Sequence, residues 1–267
     1  MTHFAYRLAS QGHARSHGIP LGAEALYGRL TPPLRVAGRG MLPTARSSGW
    51  KRILDVALSG LALALVSPIM GAAALAIKTT SSGPVFFRQE RIGLNRRRRD
   101  RRAARAMIGL ERRGSNRRVV VNPGKPFTIY KFRTMVVGAE RGQPVWAQKA
   151  DPRITPVGRF LRKTRVDELP QFFNVLRGDM SIVGPRPERA YFINRIEKDI
   201  PDFQLRLRAK PGITGLAQVE LGYTNTDDGL RRKLDFDLEY IRRLTPLTDL
   251  RILCKTIFVV LTGKGAY

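Results

Sequence analysis

Cysteine is nearly absent from this chain. Cys254 stands alone among 267 residues, which rules out an intrachain disulfide and a zinc site built from cysteines, and fits a reducing compartment. Histidine is scarce and badly placed for catalysis: His3, His13 and His17 all precede residue 18. Chemistry in the body of the chain must therefore proceed without an imidazole base or ligand, which excludes Ser-His-Asp hydrolases and His-metal hydrolases. Acidic residues are few as well. Asp and Glu total 21 against 48 Lys and Arg, a formal charge of +27, so a polyanionic partner (nucleic acid, anionic lipid or nucleotide phosphate) has to be considered. Neither a GxxxxGK[ST] loop nor a GxGxxG fingerprint occurs, so a nucleotide would have to be held by side-chain cations and other loops.

The length suits one domain or two small ones with a genuine core. Residues 1–50 are rich in Gly, Pro, Ser and Arg and lack a sustained period of 2 or 3.6, which predicts a flexible basic leader. The first long apolar run begins only at Val56, too deep for a secretory signal. From Val56 to Ile77 there is no charge for 22 residues. As a straight helix this run would extend about 33 Å, enough to cross a hydrocarbon core of about 30 Å. Pro68 cannot donate to the Ala64 carbonyl and disfavours helical angles at Ser67, so a kink is expected there. The Ser67 hydroxyl could bond the freed carbonyl.

Both flanks of this run are basic, with Lys51 and Arg52 before it and Lys78, Arg88 and Arg91 after it. A crossing helix would have to export an arginine-bearing leader against the positive-inside rule, whereas a re-entrant hairpin would not. Charge and proline alone leave both readings open. Residues 96–118 carry eleven arginines against Asp100 and Glu111. The default reading is a solvated charge run, and attraction to anionic membrane lipid needs only the charge. No aromatic lies between Phe87 and Phe127 to stack bases.

Residues 85–93 and 126–137 read as strands. Leu169, Phe172, Phe173 and Leu176 recur at i, i+3, i+4 and i+7, predicting one apolar helix face, with Pro170 in the first turn and a start near Asp167 and Glu168. Residues 189–209 and 228–244 predict amphipathic helices. Leu247 to Leu261 predicts a last helix whose stripe (Leu250, Leu253, Cys254, Ile257, Phe258, Leu261) would pack on the core or lie in a membrane interface.

Asp167 and Glu168 are adjacent carboxylates among Arg162, Lys163, Arg165 and Arg177. One reading makes Asp167 an N-cap and Glu168 a first-turn acid. The other makes them a site for phosphoryl chemistry, with a carboxylate kept ionised by nearby cations as a metal ligand or nucleophile. Lys131, Arg133 and Arg186 are then candidate phosphate-binding cations.

The strings FFRQERIG (86–93), KFRTM (131–135), the whole of residues 151–188, PGITGLAQV (211–219) and the tail 249–267 resemble the bacterial sugar transferase family, the monotopic polyprenyl-phosphate phosphoglycosyl transferases. The similarity runs over residues 51–267. It implies an α+β, membrane-associated protein: a re-entrant helix over 51–80 broken at Ser67 and Pro68, then a mostly helical cytoplasmic catalytic domain over 81–267 with a small β element and amphipathic interfacial helices. It further implies transfer of a sugar-1-phosphate from a UDP-sugar to polyprenyl phosphate at the bacterial inner membrane, as a first step of exopolysaccharide or surface-glycan assembly. The family's Asp-Glu dyad falls on Asp167 and Glu168, with Asp167 as the nucleophile and Mg²⁺ ligand. Its phosphate-contacting cations fall on Arg162 and Arg186, with Lys131 and Arg133 also candidates.

Two departures stand out. An arginine-rich insertion occupies 96–123, and Leu216 stands where an aromatic is expected. Larger members carry a bundle of membrane helices ahead of the catalytic part, and residues 1–50 offer none, so the short form is expected. The contrasting function class is a membrane-tethered basic protein that binds nucleic acid without catalysis.

Overall fold

The computed structural model describes residues 49–95, 124–139, 151–222 and 226–262. Most of the predicted leader and the whole arginine-rich insertion lie outside them. The architecture is mixed and mostly helical. Helix α1 (Gly49–Thr80) leads into strands β1 (Phe86–Ile92) and β2 (Pro126–Phe132). Helix α2 (Pro156–Lys163), a 3-10 turn (Val166–Glu168), helix α3 (Gln171–Arg177) and strand β3 (Ser181–Val183) follow. Then come helix α4 (Ala190–Asp199), a 3-10 segment (Pro201–Arg208), strand β4 (Gly212–Thr214) and helices α5 (Leu216–Leu221), α6 (Asp227–Arg242) and α7 (Pro246–Thr262).

Two small sheets organise the core. Strands β1 and β2 pair antiparallel from Phe86 opposite Phe132 to Ile92 opposite Pro126, and β3 pairs parallel with β4. The insertion therefore sits in the connection of the β1–β2 hairpin. Phe127 and Ile129 of β2 join Val175, Met180, Ile193, Phe203, Leu234, Leu238 and Ile241 in the main core. The second strand is shorter than the sequence predicts, since regular pairing stops at Phe132 and only Met135 bridges onward, to Ile154.

Helix α1 attaches to the domain at both ends. Near its start Lys51, Asp55 and Ser59, spaced four apart, form a buried polar stripe. Lys51 pairs with Asp249 of α7 at 2.5 Å, while Asp55 Oδ1 accepts from Ser181 Oγ at 2.9 Å and from the Ile182 amide at 3.0 Å. Near its end Ala73 and Ile77 pack with Phe132 and Leu161. Between them Leu61, Leu65 and Ile69 face outward. The element runs unbroken through Pro68, so Ser67 stays helical, against the expectation that it leaves helical angles. The expected repair is present: Ser67 Oγ donates to the Ala64 carbonyl at 2.9 Å, the acceptor that proline leaves without an amide.

Helix α3 turns its face opposite to a simple reading of hydrophobic spacing, and most of the α7 stripe faces outward rather than onto the core, one of the two placements its spacing left open. The buried side of α3 carries Gln171, Asn174 and Val175, and Phe173 is 49% exposed. The packed side of α7 carries Asp249 and Ile252, whereas Leu250, Ile257, Phe258 and Leu261 point out. Specific hydrogen bonds explain the inversion. Asn174 Nδ2 donates to the Thr128 carbonyl at 2.7 Å and its Oδ1 accepts from the Tyr130 amide at 3.1 Å, so its amide pairs with the free edge of β2. Arg52 closes the other end of α3 by donating to the Val175 and Leu176 carbonyls at 2.6 Å each.

Asn174→Ala should strip two partners from the β2 edge and lower stability by about 1–3 kcal/mol, measured by urea unfolding in detergent. An unchanged midpoint would mean that water satisfies the edge equally well.

Candidate active site

Four segments converge on the adjacent carboxylates. Strand β2 brings Lys131 and helix α2 brings Arg162. The 3-10 turn carries Asp167 and Glu168, and the loop after β3 brings Arg186. Helix α2 starts cleanly because Thr155 Oγ1 accepts from the Gly158 amide at 3.0 Å with Pro156 in the first turn. A side chain at Gly158 would run into the Thr134 carbonyl, so this close approach requires glycine.

The dyad does not begin an α-helix. Pro170 has no N–H to give Val166, so the Leu169 amide bonds Val166 O instead at 3.2 Å, and α3 starts only at Gln171. Asp167 is accordingly no N-cap, which corrects that reading of the sequence. The turn is entered through Arg165 at φ 60°, the one non-glycine residue with positive φ among the described residues. Such backbone is costly for a residue with a Cβ and is held here by its surroundings.

The two carboxylates have opposite environments. Glu168 Oε1 accepts from Lys131 Nζ at 2.6 Å and from Arg186 Nη2 at 2.7 Å. Asp167 is buried, yet neither of its oxygens has a hydrogen-bond or ion-pair partner among the described residues. Burial pushes the Asp167 carboxyl up to about 6, with Lys131 drawing it back and the Glu168 charge adding to the rise. Burial acts the same way on Glu168, but Arg186 and Lys131 outweigh it and hold that carboxyl well below the usual range. The expectation that nearby cations hold a carboxylate of the pair at low pKa is met at Glu168 and not at Asp167. Desolvation also lowers the pKa of Lys131 despite Glu168.

The candidate cations divide. Lys131 and Arg186 hold Glu168 directly. Arg162 is half-buried, donates from Nε to Thr134 Oγ1 at 2.8 Å, and contributes its charge to the field at Asp167. Arg133 is committed elsewhere: its guanidinium donates to the Ser81 and Ser82 carbonyls and to Ser81 Oγ, closing the end of α1. Ser67 and Pro68 lie in the outward-facing stretch of α1. A buried charge cluster behind Arg186 gave no signal in the sequence: Glu188 meets Lys233 at 2.6 Å, Arg91 at 3.6 Å and Arg206 at 3.7 Å, and Arg206 meets Asp237 at 2.7 Å.

The family profile described as bacterial sugar transferase matches residues 46–119 and 103–263, two stretches that overlap within the arginine-rich tract. The chain belongs to the bacterial sugar transferase family. Among its relatives, a UDP-N-acetylgalactosamine-undecaprenyl-phosphate N-acetylgalactosaminephosphotransferase of Aeromonas hydrophila is 39% identical over 226 residues, 85% of this chain and 47% of the relative. A UDP-glucose:undecaprenyl-phosphate glucose-1-phosphate transferase of Klebsiella pneumoniae is 40% identical over 220 residues, 82% of this chain and 41% of the relative. A protein of the same description from Caulobacter vibrioides is 37% identical over 258 residues, 96% of this chain and 84% of the relative. The chain thus spans under half of the first two relatives and most of the third.

In this chain the Asp167 charge is penalised by burial and rewarded by no bond. Its carboxyl ionises near 3.8 unfolded and about 6 folded, so stability is lost as pH rises through that window and is not regained above it. Asp167→Asn should therefore raise stability at pH 8 by roughly 1–3 kcal/mol and by less at pH 4. Glu168→Gln should lower it by about 2–4 kcal/mol, since Lys131 and Arg186 would face a neutral amide. Urea unfolding at both pH values distinguishes them, and a destabilising Asp167→Asn at pH 8 would count against the unbonded carboxylate.

Proposed function

We propose that the protein transfers a sugar-1-phosphate from a UDP-sugar to polyprenyl phosphate through a covalent intermediate on Asp167. The observation that carries this reading is the asymmetry of the dyad: Glu168 is fixed by two cations while the buried Asp167 beside it is left unbonded. A carboxylate with no hydrogen bonds to surrender is a better nucleophile than a clamped one. The names of the relatives, transferases acting on UDP-sugars and undecaprenyl phosphate, agree in substrate class.

In the first step an Asp167 oxygen attacks the sugar-bearing phosphorus, forming an acyl phosphate as the bond to UMP breaks and UMP departs with its electron pair. In the second an oxygen of polyprenyl phosphate attacks the same phosphorus. The acyl-phosphate bond breaks, the Asp167 carboxylate is restored, and polyprenyl-diphosphate-sugar forms. Each step exchanges bonds of comparable energy. Arg186 and Arg162 offset charge on the phosphoryl oxygens, and Lys131 keeps Glu168 in place.

The donor set fits Mg²⁺ bound jointly with substrate. No group of three or more His, Cys, Asp or Glu side chains placed to hold a metal ion occurs among the described residues, but both Asp167 oxygens and Glu168 Oε2 are unpaired there, and Mg²⁺ commonly takes one or two carboxylates plus substrate phosphates. When bound, the ion would supply charge neutralisation at the phosphates.

The membrane part of the reading is a re-entrant α1 with the catalytic domain on the cytoplasmic face of the inner membrane. What supports this reading is that Asp55 near the start of α1 and Ala73 and Ile77 near its end pack on the same domain, together with the basic flanks on both sides of the apolar run. The outward apolar faces of α3 and α7 give the domain a surface suited to lipid, and the arginine-rich tract adds attraction to anionic headgroups. The role in exopolysaccharide assembly belongs to the same proposal. Nothing among the described residues favours the nucleic-acid alternative.

Purified protein given Mg²⁺, polyprenyl phosphate and a panel of UDP-sugars should release UMP with at least one of them. Without the lipid, one phospho-sugar should appear by intact mass on the peptide containing Asp167. Asp167→Asn should abolish the adduct and reduce turnover roughly 10⁴-fold. An adduct on that peptide in Asp167→Asn would overturn the nucleophile assignment.

For topology, Gly49→Cys and Lys78→Cys, each in a Cys254→Ala background, should both resist an impermeant thiol reagent in intact cells and both react in inverted vesicles. Reaction of only one from outside would indicate a crossing helix.

A further inference from the structure

Arg186 reaches Glu168 from a loop that cannot hold itself. In Pro185–Arg186–Pro187–Glu188 two of four residues lack an amide hydrogen, and each of the four carbonyls is taken by a donor from elsewhere. Pro185 O accepts from the Gly212 amide at 3.0 Å and Glu188 O from the Ile92 amide at 2.9 Å. Pro187 O accepts from Arg91 Nη1 at 3.2 Å and Arg186 O from Arg206 Nη2 at 2.9 Å. The last of these acts on the residue that touches the dyad.

Arg206 is itself over-determined. Its side chain is 2% exposed, Nε lies 2.9 Å and Nη2 2.7 Å from Asp237 Oδ2, Nη1 lies 3.7 Å from Glu188 Oε1, and the guanidinium sits over the Phe203 ring at 4.9 Å. A buried ion pair is weak evidence for stability, because apolar residues of similar volume often serve a fold as well or better. The planar fork has what a position-setting role requires: several donors in fixed relative directions, serving Asp237, Glu188 and the Arg186 carbonyl together.

We infer that Arg206, locked by Asp237, is a positioning residue that fixes the Arg186 backbone so that the Arg186 guanidinium stays on Glu168. As a statement about catalysis this rests on the proposed transfer reaction; as a statement about Arg186 it does not. Lysine at position 206 would keep a positive charge near Glu188 but present one ammonium group, unable to reproduce the three-way hold.

A double-mutant cycle tests the catalytic part. Arg206→Lys should lower UMP release about tenfold in an otherwise unchanged chain and less than twofold when Arg186→Ala is already present, because the route through Arg186 is gone. Asp237→Asn, which keeps the carboxylate shape, should behave likewise. A tenfold loss in both backgrounds would overturn the inference.

The second readout needs no turnover. In ¹⁵N spectra of the full-length protein in detergent, the Arg186 Nη protons, assigned by their loss in Arg186→Lys, should be resolved by slow rotation while held on Glu168. They should average in folded Arg206→Lys and Asp237→Asn. Unchanged Arg186 signals in these variants would refute the positioning role, as would unfolding of both variants, which would make the pair purely structural. If the unmodified protein released no UMP, the transfer reaction would fail and the spectra alone would decide the role of Arg206.

Discussion

Two adjacent carboxylates in a buried turn are the costly feature around which the rest is arranged. Desolvating one carboxylate already costs several kcal/mol, and a second beside it adds repulsion. The fold answers by compensating Glu168 completely and Asp167 hardly at all. Lys131 and Arg186 come from different elements, a strand and a loop, and meet on one oxygen of Glu168. Asp167 receives only the through-space field of Lys131, Arg162 and Arg186. The pair thus separates into a clamped anion and an unbonded one.

Placing those cations requires rigid supports. Asn174 ties α3 to the β2 edge that carries Lys131, and Gly178, at φ 86°, ends α3 where Arg52 caps it. The Arg186 loop is held by β1, β4 and Arg206. The first turns of α1 grip β3 through Asp55 and α7 through Lys51. Helix α1 and the dyad are therefore mechanically joined, since Arg52 holds the same short helix that follows the 3-10 turn.

The outward faces follow from the same economy. Helices α3 and α7 use polar side chains inward because Asn174 and Asp249 find bonded partners there, and their apolar residues are left facing out together with the middle of α1. In water such surfaces would invite association; against lipid they are favourable.

Much was legible in the sequence because it depends on local rules. The 22-residue uncharged run gave the long helix, and the proline at position 68 gave the hydroxyl bond from Ser67. Alternation over 126–137 gave β2, though not its end, and the ordered motifs gave the family and the Asp-Glu pair. Other features were settled by three-dimensional proximity. Lys131 and Arg133 look equivalent in KFRTM, yet one reaches Glu168 and the other closes α1, because strand pairing ends between them. Apolar spacing located α3 but not its buried face, and left that of α7 open, since a bonded asparagine or aspartate can outweigh an outward phenylalanine. The sequence by itself determined the charge, the long apolar helix, most of the other elements to within a few residues, and the adjacent Asp167 and Glu168. Only the tertiary structure decided which carboxylate is clamped and which is free, because that depends on cations delivered from segments 37 residues before and 18 residues after Glu168 in the chain.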